Sequence, residues 1–203
     1  MKKLSILFVT IIMAVLFAVS ASAEDFTEGY YTYTVENGEA MIVDVDDSIS
    51  GDIAIPKTLN NYPVVKIGTK AFYYLEKLSK IEIPDSVEEI GNYAFEDCDN
   101  LNMIYIPKNV SKIGKGAFSD CDKLEYIYVN KDNQHFINDE YGALYDSEKT
   151  SIIQFPAGSE VTSYIIPDTV IIIGDAAFDG CKKIESVTMP NHIDIINSLT
   201  FSS

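Results

Sequence analysis

The chain is 203 residues long, and all 15 of its basic residues are lysines, set against 31 aspartates and glutamates for a formal net charge of −16. Without a basic cluster it has nothing to neutralise a phosphate backbone or an anionic lipid headgroup, which excludes nucleic acid and membrane surfaces as partners. Apolar residues make up 47% of the sequence, enough for one elongated domain with a continuous core.

Residues 1–23 read as a secretory signal peptide. Lys2 and Lys3 give the positive start, Leu4 to Val19 is an apolar run of about 16 residues, and Ala21-Ser22-Ala23 supplies the small side chains a signal peptidase accepts. The run is short of the roughly 20 residues needed to span a bilayer. The expectation is therefore export, with a mature chain beginning at Glu24 and no membrane insertion once the leader is removed.

Residues 24–61 read as an N-terminal β cap. Tyr30–Val35 and Ala40–Val45 are β-prone runs, and Asn37-Gly38 between them is a strong hairpin signal. Asp44, Asp46, Asp47 and Asp52 form an acidic patch, but they lack the glycine and distal glutamate of a helix–loop–helix calcium site. A solvated turn is the reading they support.

Residues 62–203 are organised by a repeat whose clearest copy is Leu101–Cys121. Its positions Leu101, Ile104, Ile106, Pro107, Val110, Ile113, Gly114, Ala117, Phe118 and Cys121 recur 23 residues earlier, from Leu78 to Cys98. They return as Val161 to Cys181 and begin again at Ile184; a partial copy from Ile53 to Phe72 precedes them. A period in the twenties predicts a solenoid in which each repeat is one coil. Ile104 and Ile106, two apart, point the same way from a strand. Pro107, lacking an N–H, ends the ladder. Val110 and Ile113 return inward, Gly114 permits a turn, and Phe118 fills the centre of the coil. Stacked neighbours bury what one coil cannot.

At these residues the chain resembles the BspA-like leucine-rich repeat proteins of bacterial surfaces, through its Ile-x-Ile-Pro and Ile-Gly-x-x-Ala-Phe-x-x-Cys elements. The resemblance runs from about residue 49 to the end. It implies a β-rich leucine-rich-repeat solenoid of parallel strands and short helical or 3-10 turns, secreted or displayed at the cell surface. It also implies adhesion or protein binding rather than catalysis. It carries no fixed set of functional residues.

The spacing is interrupted at about 130–160. Leu124, Ile127 and Val129 begin a coil, but Asn130 replaces the proline. Tyr141–Tyr145 and Ser151–Phe155 then read as a hairpin replacing the back of that coil, and Val161 resumes the register. Cys98, Cys121 and Cys181 share one slot, which holds Leu75 in the first copy, so they read as buried apolar positions with free thiols rather than disulfides. The two histidines, His135 and His192, lie in different coils, and no metal-ligand spacing, nucleophile motif or phosphate loop is present. No catalytic, cofactor-binding or metal-ligating set emerges, and the chain is not expected to be an enzyme.

What remains is the outward strand face. Residues flanking the inward isoleucines bring Met103, Tyr105, Tyr126 and Tyr128 into one patch, a composition enriched in interface cores. A protein partner binding there, a host or neighbouring-cell surface or matrix protein, is one reading. The alternative is a structural spacer, or a fragment of a longer repeat array displaying another domain. The last repeat stops before its Cys position, so Ile184, Val187, Met189 and Ile196 are expected to form an exposed apolar face open to end-to-end self-association.

Overall fold

The computed structural model describes residues 24–202, so residues 1–23, expected to be a signal peptide, lie outside the described residues. The cap contributes β1 (Asp25–Glu28), β2 (Tyr31–Glu36) and β3 (Glu39–Val45). The first coils follow as β4 (Gly51–Ala54), β5 (Thr58–Leu59), β6 (Tyr62–Ile67), β7 (Leu78–Glu82), β8 (Glu89–Ile90), β9 (Met103–Ile106), β10 (Lys112–Ile113) and β11 (Tyr126–Val129). The interruption holds β12 (Phe136–Asn138), β13 (Leu144–Asp146) and β14 (Ser151–Gln154). The chain continues through β15 (Ser163–Ile165), β16 (Ile172–Ile173), β17 (Ser186–Thr188) and β18 (Ile195–Ile196).

Front strands stack in parallel as β4, β7, β9 and β11, with Ile81, Ile104 and Ile127 in register. The return strands β6, β8 and β10 do likewise, aligning Ile67, Ile90 and Ile113. Along β9 exposed and buried residues alternate, as a strand with one face in the core requires. The chain is a β-solenoid.

Gly91 and Gly114 serve close approach rather than a special turn. A Cβ on Gly91 would lie 2.6 Å from the Gly68 carbonyl carbon, and one on Gly114 would lie 2.4 Å from the Asn92 nitrogen. Each glycine lets its own coil rest on the backbone of the one before.

Helical or 3-10 turns were expected between return and front strands, but no helix forms among the described residues. Two slots of the turn explain this. Lys70, Tyr93, Gly116, Ala176 and Leu199 occupy one, and Tyr74, Asp97, Asp120 and Gly180 the other, all at positive φ between 52° and 70°. Left-handed residues twice per turn break any run of right-handed helix. The turns bond to neighbouring coils instead: Phe72 N–H donates to Ala94 O, and Phe95 N–H to Ala117 O, both at 2.8 Å.

These turns deliver one phenylalanine per coil into a column. Ring centroids are 4.9 Å apart for Phe72–Phe95 and 5.7 Å for Phe95–Phe118, with planes near parallel. A second column runs Phe155, Phe178, Phe201 at 5.5 and 5.3 Å. The buried side chains correspondingly form two clusters that meet within the interruption, Phe136 and Leu144 belonging to the first and Ala143, Tyr145, Ile152 and Phe155 to the second.

At that junction β11 and β15 are not paired. β14 runs parallel to β16 and takes the return-strand place, with Ile152 beside Ile173, while β13 pairs antiparallel with both β12 and β14. Phe155 fills the ring slot of this coil, its N–H donating to Ala177 O at 2.7 Å.

At the other end, Asn37 and Gly38 both take positive φ in the two-residue turn joining β2 to β3. β3 then pairs in parallel with β6, placing Ile42 beside Ile67. Tyr31 lies 6.5 Å from Phe72, so the hairpin covers the first ring of the column.

On the last coil Ile184 and Val187, expected in the exposed apolar face, are half-buried. The apolar surface there is made by Met189, Ile195, Ile196, Leu199 and Phe201, of which Ile196 is 53% and Phe201 50% exposed.

The three cysteines are free thiols. Cys98 and Cys121 are buried, donating to Phe72 O at 3.1 Å and Phe95 O at 3.0 Å, while Cys181 is half-buried. Burial pushes the Cys98 and Cys181 thiols up to about 12 and holds Cys121 well above its ordinary value. At pH 8 the folded protein is expected to react negligibly with an aromatic disulfide reagent, and the urea-unfolded chain to release three equivalents. Rapid labelling of folded Cys98 or Cys121 would contradict this burial.

Candidate protein-binding face

The patch is built by two neighbouring strands. β9 and β11 pair in parallel with Met103 opposite Tyr126 and Tyr105 opposite Tyr128. Because Ile104 and Ile127 take the inward positions, these four side chains are directed away from the core. Met103 is 40% exposed, Tyr105 46% and Tyr128 44%. With Lys80, Ile81, Glu82 and Ile83 of the preceding coil, these three line a shallow groove of about 380 Å³. Lys80 and Glu82 pair at 3.1 Å along one wall, so their charges offset each other and the groove stays mainly apolar.

Tyr126 differs from the other three. It is half-buried, and its ring lies 4.2 Å from that of Tyr128. Its hydroxyl donates to Asp139 O at 2.7 Å and accepts from Asn138 Nδ2 at 3.0 Å. Burial, then the adjacent Tyr128, raises its phenol above the ordinary value. Strand alternation places Tyr126 in the patch, but the inserted loop holds it as a brace.

The loop Asn138–Gly142 lies along the free edge of β11. Asn138 Oδ1 accepts the Val129 N–H at 2.8 Å, and Gly142 O accepts that of Ile127 at 3.3 Å. Gly142 sits at φ +80°, and a Cβ there would lie 2.7 Å from the Tyr126 ring. The loop thus satisfies edge groups that β15 leaves unpaired.

Asp139 holds this loop closed. Its Oδ1 accepts the N–H groups of Tyr141 at 2.9 Å and Ala143 at 3.0 Å. Its Oδ2 accepts the hydroxyl of Tyr164, with that of Tyr145 at 3.4 Å, and the two buried phenols also bond to each other. Tyr141 stands exposed beside them, its ring edge-on to Tyr164 at 5.7 Å. Sequence periodicity did not reach Tyr141, because it belongs to the insertion and has no repeat counterpart.

Nothing in this arrangement resembles an acid–base or nucleophilic set. His135 is exposed, and the His192 ring contacts Asp168 O at 2.6 Å. Among the described residues, no group of three or more His, Cys, Asp or Glu side chains is placed to hold a metal ion. Asp46, from the acidic patch of the cap, accepts the Ser48 N–H at 2.8 Å and closes a turn.

Parallel strands at a fixed period, a column of rings and an aromatic front face define a leucine-rich-repeat solenoid. The model of the BspA type leucine rich repeat region matches six copies over residues 52–160 and 148–203, and the chain belongs to that family. Among curated proteins none matches the sequence. Solved structures with the same fold include a leucine-rich repeat protein from Eubacterium ventriosum, 19% identical with a TM-score of 0.52. That match covers 86% of this chain, which spans only 62% of the other. The pneumococcal vaccine antigen PcpA is 14% identical with a TM-score of 0.54, over 88% and 67% of the two chains. The T. pallidum leucine rich repeat protein is 19% identical with a TM-score of 0.56, over 85% and 86%.

Proposed function

We propose that the chain is a non-catalytic protein-binding module, secreted or held at a bacterial cell surface, which contacts its partner through Met103, Tyr105 and Tyr128. The observation that carries this reading is the exposure of two tyrosines and a methionine around an apolar groove. No packing inside the coil uses these side chains. A spacer has no need of such a face, and an evenly polar strand surface would serve it better. Tyr126 contributes by fixing Tyr128 rather than by direct contact. The leader-like residues 1–23 support export.

The test is a triple variant, Met103→Ser, Tyr105→Ser and Tyr128→Ser, as bait for serum and extracellular-matrix proteins. Buried aromatic anchors carry about 2 kcal/mol or more each in interfaces, so a loss of at least about thirtyfold in affinity is expected with an unchanged melting profile. Undiminished capture by the folded triple variant would remove this face from the reading.

The exposed residues of the last coil support a second contact, between copies of the chain. Ile195→Lys with Ile196→Lys is expected to weaken association in sedimentation experiments. A wild type that stays monomeric at high concentration would contradict it.

A further inference from the structure

The cap hairpin and the first turn of the solenoid enclose a cleft of about 510 Å³. Three tyrosines line it: Tyr30 from the turn between β1 and β2, and Tyr73 and Tyr74 from the turn after β6. The rings of Tyr73 and Tyr74 lie 5.9 Å apart, and all three side chains are exposed, Tyr74 to 57%. The repeat does not account for them. One coil on, the Tyr73 and Tyr74 slots hold Glu96 and Asp97, and a further coil on they hold Ser119 and Asp120. Tyr74 sits at φ 61°, in the left-handed region that Asp97, Asp120 and Gly180 also adopt in this slot, and those residue types tolerate it better. An exposed aromatic held at such an angle gains no burial in return, and strain of that kind clusters at ligand sites.

The cleft also carries one sign of charge. Asp44, Asp46 and Asp47 line it and no lysine does. Among the described residues, none of these three aspartates pairs with a lysine. The Asp46 N–H donates to Tyr30 O at 2.9 Å, which ties the acidic segment to the turn bearing the first ring. The carboxylates are not gathered closely enough to hold a metal ion. A tyrosine face does attract an ammonium group, and Lys70, which does not line the cleft, stands 4.2 Å over the Tyr73 ring.

We propose that this cleft receives a lysine or arginine side chain of a partner protein, its charge met by Asp44 and Asp47 and its stem laid along the tyrosine rings. Charge complementarity selects this occupant. A neutral sugar would leave the carboxylates uncompensated, and an acidic or phosphorylated segment would be repelled. The cleft is separate from the front face of Met103, Tyr105 and Tyr128, so it stands whether or not that face binds.

The probes are the methylamides of Nα-acetyl-arginine and Nα-acetyl-lysine, with the uncharged norleucine analogue for comparison. NMR follows the amides of Gly29, Thr32 and Leu75, which line the cleft. Saturable shifts are expected with a basic probe, weakening in high salt, and none with norleucine. Tyr74→Gly removes a ring and the unfavourable angle together. It is expected to melt no lower than wild type yet to bind about fivefold or more weakly. Asp44→Asn with Asp47→Asn should weaken binding similarly, and Tyr105→Ser with Tyr128→Ser should leave it unchanged. Undiminished binding in Tyr74→Gly, loss of binding in the front-face variant, or equal shifts from norleucine would each overturn the proposal. So would saturation by calcium chloride or chitotriose, or no response to either basic probe.

Discussion

Replacing Phe118 by alanine is expected to lower stability by about 3–5 kcal/mol, the range for truncating a fully buried ring. Phe118 is completely buried and ends the first column, 5.7 Å from Phe95. Collapse onto the hole is resisted from below, because Phe95 is itself held 4.9 Å from Phe72. From above, no Phe118–Phe155 ring pair continues the column among the described residues, and the second column begins at Phe155 at the end of the inserted hairpin. Phe95→Ala and Phe178→Ala should cost similar amounts. Phe201→Ala should cost about 1 kcal/mol or less, because half of that ring already meets solvent. Urea unfolding with an unchanged slope would report these differences as shifts in midpoint. A Phe118→Ala loss below about 1 kcal/mol would show that the column does not bear the core.

The column also shows why most of the fold can be read from the chain. When one environment recurs every 23 residues, each slot is sampled several times, and Ile81, Ile104 and Ile127 state the same requirement. Phe155 escaped that logic. It follows the return-strand residue Ile152 by three positions, whereas Phe118 follows Ile113 by five, so its slot is recognisable from the bond to Ala177 and the stacking on Phe178 rather than from spacing. The turns failed for a different reason. Positive φ at Lys70, Tyr93, Asp97 and Leu199 is imposed by stacking, and no local preference of Lys, Tyr or Leu announces it.

The front face was legible only in part. Alternation along β9 and β11 places Met103, Tyr105, Tyr126 and Tyr128 outward, because strand geometry alone decides that. Whether a neighbour then covers one of them depends on a loop ending sixteen residues after Tyr126, and periodicity carries no information about it. Gly142 was the available signal: a glycine at positive φ whose missing side chain makes room for the Tyr126 ring.

That loop sets the other large effect. Asp139→Ala is expected to cost about 2–4 kcal/mol, because the carboxylate accepts two backbone N–H groups and the Tyr164 hydroxyl, with Tyr145 alongside. Hydrogen bonds to a charged group contribute about 1.5–3 kcal/mol, and losing the acceptor strands buried donors at further cost. Asp139→Asn should cost about 1 kcal/mol or less. Its oxygen still accepts from Tyr141 and Ala143, and the phenols can turn to accept from the new amide. Both phenols titrate above their ordinary value, chiefly through burial, so they remain donors at any pH below about 10. Their raised values make the folded chain hold protons that the unfolded chain releases. The network's contribution is therefore complete below pH 10 and lost progressively above it. Thermal melts at pH 7 and pH 11 of wild type and Asp139→Ala provide the measurement, with the gap between them narrowing at the higher pH. Partner capture should weaken in Asp139→Ala alone, since releasing the loop frees Tyr126 from the Asp139 carbonyl and lets the Tyr126–Tyr128 pair drift. An Asp139→Ala protein as stable as wild type at pH 7 would mean that water replaces the carboxylate and that the loop closes without it.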